Sequence, residues 1–177
     1  MIDKPSSWLV VLYSVSPEPS RLKVRIWREF KKIGGLYPQM SICLLPNNND
    51  TKKKLSSISK IIKENGEIIT LEGTGIVEND QDKLLEKFRL ERDKQYEEIL
   101  EECQEFMDEI ELNIKNEKIT QEEVEEMEEV LDGLERWLKK VQDIDWIESA
   151  PLSQKVEKLL TMCNDSMDHF AELIHPK

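Results

Sequence analysis

WLVVLYSVSPEPSRLKVRIWREFKKIGGLYPQMSICLLP, residues 8–46, reads as a complete strand, helix, strand, strand unit, and the rest of the chain either completes that unit or leans on it. Residues 8–15 form an apolar, β-branched run of strand length, closed by Pro17 and Pro19, which cannot continue a ladder. A helix over 21–33 follows: Ser16 or Ser20 caps it, a proline suits its first turn, and Gly34-Gly35 ends it. Residues 36–40 and 41–45 then read as two strands.

At about 100° per residue the side chains of this helix sort into two stripes. Leu22, Ile26, Phe30 and Ile33 form the apolar one, while Arg21, Arg25, Arg28 and Lys32 recur at i, i+4, i+7 and i+11 and make a basic ridge. Such a ridge is either a solvated face or a surface for phosphates or an acidic partner.

Working outward, 47–50 is a polar loop from which Asp50 or Thr51 caps a second helix, with Leu55, Ile58, Ile61 and Ile62 inward and Asn65-Gly66 at its end. Lys52, Lys53 and Lys54 sit in its first turn, where the helix dipole disfavours cations. Because consecutive residues fan out around a helix, these lysines imply no single site. Residues 67–71 give a fourth strand. The order β-α-β-β-α-β predicts an α+β domain over 1–77 of the ferredoxin-like sandwich type. Gly73-Thr74-Gly75 reads as a hinge, since a lone GxG is weak ground for a nucleotide site.

From about Asp80 the pattern changes to heptads: Leu85, Phe88, Tyr96, Ile99, Cys103, Phe106, Ile110 and Ile114. Thr120 and Glu123 make a capping box for a helix with the seam Val124, Met127, Leu131, Leu134, Leu138 and Val141, and a second seam at Val130, Trp137 and Ile144. Pro151 starts the last helix, whose face is Val156, Leu159, Cys163, Met167, Phe170 and Ile174. Residues 78–177 are thus predicted to be an acidic, antiparallel three-helix bundle or hairpin domain. Glutamates 122–129 skip only the seam positions, so they mark a solvated helix face.

The net charge of −12 over 177 residues hides an asymmetry: residues 1–77 hold 12 Lys and Arg against 7 Asp and Glu, +5, leaving 13 against 30, −17, for the remainder. Opposite halves of this kind attract a polyanion with one and repel it with the other, or attract each other. The 3 cysteines, Cys43, Cys103 and Cys163, are odd in number, far apart and in apolar patterns, as expected of reduced core residues. No apolar run is long enough to span a bilayer and no secretory signal pattern opens the chain, so a cytoplasmic protein away from membranes is expected.

Arg92 occupies an apolar heptad slot with Arg89 one turn before it, which predicts either a structural ion pair with a carboxylate or a small-anion pocket. His169 and His175 do not share a helix face, and neither metal-ligand spacing nor a nucleophile-base pair emerges. The sequence therefore predicts no metal, no cofactor and no enzymatic activity.

The segment over 8–46, with its S-x-x-P-S-R-x-x-V-R-x-W core, followed by RDKQYEEILEECQEF and EVLDGLERWLKKVQDIDWIESAPL, resembles the N-terminal domain of ChrB, the chromate-resistance regulatory protein. The resemblance implies a regulator of the resistance operon; taken with the ridge, it gives the expectation that Arg21, Arg25, Arg28 and Lys32 contact DNA phosphates, while an open sheet edge in the predicted sandwich invites a homodimer. In that family a second domain follows, and this sequence ends at Lys177; the likeness carries DNA binding and regulation further than it carries chromate sensing. That domain is in turn similar to the ferredoxin-like domain of CRISPR-associated endonucleases and phenylacetate-operon repressors. The nucleases keep a metal-binding acid near the end of the first strand. Tyr13-Ser14-Val15-Ser16 stand there in this chain, implying the fold without the nuclease chemistry. The competing expectation is a protein-interaction module whose ridge docks an acidic surface.

Overall fold

A computed structural model describes residues 7–16, 20–74, 79–147 and 150–174. Its elements in chain order are β1 (Trp8–Val15), α1 (Ser20–Lys32), β2 (Leu36–Gln39), β3 (Ile42–Pro46), α2 (Asn49–Lys63), β4 (Gly66–Gly73), α3 (Asp80–Lys115), α4 (Gln121–Gln142) and α5 (Ala150–Glu172). They make an α+β chain with one four-stranded sheet and five helices. Pro17, Pro19 and Gly75 lie outside the described residues.

Two compact units result, one of Met1–Arg89 with Ile144–Ile147, the other of Leu90–Asp143 with Glu148–Lys177. The sequence division at 1–77 and 78–177 follows the change of periodicity and charge sign, whereas the first compact unit also takes in the start of α3 and a short later segment.

In the first unit the sheet runs β2-β3-β1-β4, and every neighbouring pair is antiparallel. β1 is central; Leu9 pairs with Leu45 on one side and Glu72 on the other. Strand alternation sends Leu9, Val11, Cys43 and Leu45 to one face, where they meet Ile26 and Phe30 of α1 and Leu55, Ile58 and Ile62 of α2. Trp8, Leu36 and Leu44 point to the opposite face and pack with Leu85 and Phe88. Trp8 Nε1 also donates to Gln81 Oε1 at 2.8 Å. β2 is short, carries Pro38 and has an irregular register against β3, while β4 is a long, regular outer strand with Ile69 and Leu71 exposed.

The exit from α1 is a Schellman end: Gly35 N donates to Phe30 O at 2.8 Å, Gly34 N donates to Lys31 O at 3.0 Å, and Gly34 has φ +77. A side chain at Gly34 would also meet the Trp146 ring. The start of α2 differs from expectation. Asn48, not Asp50 or Thr51, is the N-cap, accepting from Thr51 N at 2.8 Å. Asp50 instead lies in the first turn and pairs with Lys54 at 2.7 Å, which offsets the unfavourable lysines there.

In the second unit α3, α4 and α5 share one apolar core that includes Tyr96, Ile99, Cys103, Phe106, Leu131, Leu134, Cys163 and Phe170. Thr120 caps α4, accepting from Glu123 N at 3.2 Å. Gln142 donates to Glu157 and Asn164 donates to Glu135, a crossing order that sets α4 and α5 antiparallel. Two face assignments shift. On α5 Leu160 is buried and Leu159 only partly so; and Val130, read as part of a second seam, is exposed, although Ile144 is buried. The three cysteines are free and buried.

Candidate nucleic-acid interface

α1 is held by its apolar stripe: Ile26 and Phe30 are fully buried and Leu22 and Ile33 pack beside them. That anchoring decides what the rest of the helix presents. Arg21, Arg25, Arg28 and Lys32 are all exposed, and among the described residues the three arginines form no ion pair. Lys32 differs, since its Nζ lies 2.8 Å from Glu29 Oε1. The surface therefore offers three uncommitted guanidiniums and one cation already partnered. Guanidinium is suited to phosphate because its planar fork donates to two oxygens at once.

Arg89 and Arg92 occupy different environments. Arg89 is exposed and pairs with Glu86 at 2.6 Å, whereas Arg92 is 1% exposed with Nη2 3.4 Å from Glu91 Oε2 on the same helix. Lys52, Lys53 and Lys54 are exposed on α2. His169 is exposed on α5, and His175 lies outside the described residues. Among the described residues no group of three His, Cys, Asp or Glu side chains could hold a metal ion.

Beside the ridge is a feature that the two-stripe reading passes over. Lys23, Trp27 and Lys31 form a third line on α1 at i, i+4 and i+8, between the buried stripe and the arginines. Trp27 is 46% and Val24 45% exposed, and with Lys23 they form one wall of a cleft of about 720 Å³. Tyr13 of β1 and Tyr37 of β2 line it as well, together with the turn that carries Met40, which is 94% exposed. Both tyrosines rest on Phe30: the Tyr13 ring stacks on it at 5.3 Å between centroids and the Tyr37 ring meets it edge-on at 6.2 Å. Their hydroxyls share a hydrogen bond of 3.1 Å, and Lys31 Nζ sits 5.8 Å from the Tyr37 ring centre. Burial pushes the Tyr37 phenol far above its ordinary pKa, with Cys43 adding to the effect, and pushes Tyr13 up too, so both rings are neutral. An aromatic residue outside the apolar arc of a well-anchored helix was the signal in the sequence. The strands that complete the cleft come together only on folding.

No helix among the described residues is long and apolar enough to cross a membrane. No curated protein matches the chain. Residues 23–177, from the first turn of α1 to the C-terminal end, match the family model described as Protein ChrB, N-terminal, and on that match the chain belongs to the family of ChrB N-terminal domains.

Proposed function

We propose that this chain is a non-catalytic, cytoplasmic regulatory protein of the chromate-resistance system that binds DNA through phosphate contacts from Arg21, Arg25 and Arg28, with Lys32 joining them when it is released from Glu29. The observation that carries the reading is the exposure of three arginines on one helix face without an ion pair among the described residues, in a member of the ChrB N-terminal family. An exposed arginine row costs little in water and gains most where it neutralises phosphate and releases counterions. We read the sheet order β2-β3-β1-β4 as the ferredoxin-like arrangement, and the active species as a homodimer.

The test is an anisotropy titration of duplex DNA from the chain's own upstream region with wild type and with the double variant Arg21→Glu, Arg28→Glu. Both positions are exposed, so the apolar stripe is untouched. Binding by the wild type at low salt and its loss in the variant are expected. Equal binding by both proteins, or none by the wild type, removes the DNA reading.

A second reading rests on the charge of the chain: α4 exposes most of its glutamates from 122 to 129, so an acidic protein surface of similar density would also satisfy the ridge. The same double variant then loses an acidic protein partner while DNA binding is absent from the outset.

A further inference from the structure

We infer that the cleft walled by Trp27 takes an unpaired base of a nucleic-acid strand whose backbone lies along the arginine ridge, an inference that rests on the DNA-binding reading above. Three observations carry it. The first is position: on α1 the line of Lys23, Trp27 and Lys31 is flanked by Val24 and Arg28, so a backbone held at Arg28 passes within one helical turn of the indole. A nucleotide turned out of the stack there needs no second docking surface.

The second observation is charge. The chain carries 37 Asp and Glu, yet among the described residues no carboxylate lines this cleft, and Lys23 is its charged member. A second cavity of the same unit, about 1160 Å³, is lined by Asp80, Asp82 and Glu86 beside Lys83 and Lys87, so its acids outnumber its cations and it suits a polyanion less well. Complementarity thus favours the smaller cleft for a strand of phosphates.

The third is the chemistry of the walls. A half-exposed tryptophan beside exposed Val24 and Met40 leaves apolar area in water that a flat aromatic ring would cover. Base stacking on an indole tolerates any base, because every base presents a π-face. Tyr13 and Tyr37, whose hydroxyls bond each other, add polar groups to the lining without adding a negative charge. A volume of about 720 Å³ accommodates a nucleobase with its sugar.

The experiment compares three labelled oligonucleotides of equal length: a fully paired duplex, the same duplex with one bulged thymine, and a thymine single strand. Wild type is expected to bind the bulged duplex and the single strand about tenfold more tightly than the paired duplex, within the range that base-aromatic stacking supplies. Trp27→Ala should bring all three to the paired-duplex affinity, and Trp27→Phe should keep part of the preference. Arg21→Glu with Arg28→Glu should weaken all three alike. Binding to the paired duplex with no preference, or a preference that Trp27→Ala retains, overturns the cleft inference and leaves the ridge reading standing. Failure of wild type to bind any of the three removes both.

Discussion

The hydroxyl oxygens of Tyr13 and Tyr37 lie 3.1 Å apart, one donating to the other, although the two residues are 24 apart in sequence and on strands that are not neighbours in the sheet. Phe30 holds both rings from the helix side, so one buried side chain of α1 sets the floor of the cleft beside the ridge. Both phenols have pKa values above the ordinary 10.0, chiefly through burial. The folded state therefore favours the protonated form. Its contribution to stability is complete below the unfolded value and declines as pH rises through that value towards the folded one. Ultraviolet titration should show these two phenolates appearing only with unfolding, and Tyr37→Phe should cost about 1 kcal/mol in urea melts.

Two helix ends with the same hydrogen-bond pattern carry different residues at the left-handed position. α1 places Gly34 there, whereas α3 places Glu117, with φ 55, Lys118 N donating to Asn113 O and Glu117 N donating to Ile114 O. Gly34→Ala adds both backbone strain and a collision with Trp146, and should destabilise by at least about 2 kcal/mol. Glu117→Gly relieves the strain and should stabilise by about 1 kcal/mol. Paired thermal melts test both signs at once.

Cys163 Sγ donates to Cys103 O at 3.5 Å, and a side-chain hydrogen bond with the Cys103 thiol, together with burial, raises the Cys163 thiol well above its ordinary range. Since all three thiols are buried, native protein should consume no aromatic disulfide reagent on the timescale of mixing, and unfolded protein should consume three equivalents. Rapid reaction of any thiol in native protein would contradict the packing of its core.

The Lys32–Glu29 pair makes a quantitative statement about salt. With three arginines each neutralising one phosphate, the log-log slope of duplex affinity against salt should be about −2.7 per chain. Glu29→Gln frees Lys32, and the slope should steepen to about −3.6. A slope unchanged by that substitution would show that Lys32 does not face the duplex.

Local pattern carried much of this structure. The apolar, β-branched run of residues 8–15 gives β1 to the residue, and the seam of α4 from Val124 to Val141 is buried throughout. What the sequence concealed depends on partners far along the chain. Phe88 stacks on Trp146 at 4.6 Å, which ties the start of α3 and the segment at 144–147 to the sheet unit; heptad spacing reports only that Phe88 faces inward. Asn48 caps α2 in place of Asp50 or Thr51: three asparagines precede Asp50, and only the backbone turn decides among these polar residues. On α5, Leu159 and Leu160 are adjacent and both apolar, so a small rotation of the helix chooses between them. The ridge was legible from spacing alone, but the cleft beside it required the register of β1, β2 and the turn after them.

The unequal edges of the sheet bear on how this protein behaves in concentrated solution. β2 is blunted by Pro38 and its irregular pairing, whereas β4 offers a full outer row of backbone donors and acceptors with Ile69 and Leu71 exposed between Glu67 and Glu72. Colloidal repulsion from the chain's negative charge is what keeps such edges apart, and it vanishes as pH falls towards 4.8, where the net charge is zero. Mild acid should therefore drive strand-to-strand association at β4 before it unfolds the core, and Leu71→Lys should raise the protein concentration at which turbidity appears at that pH.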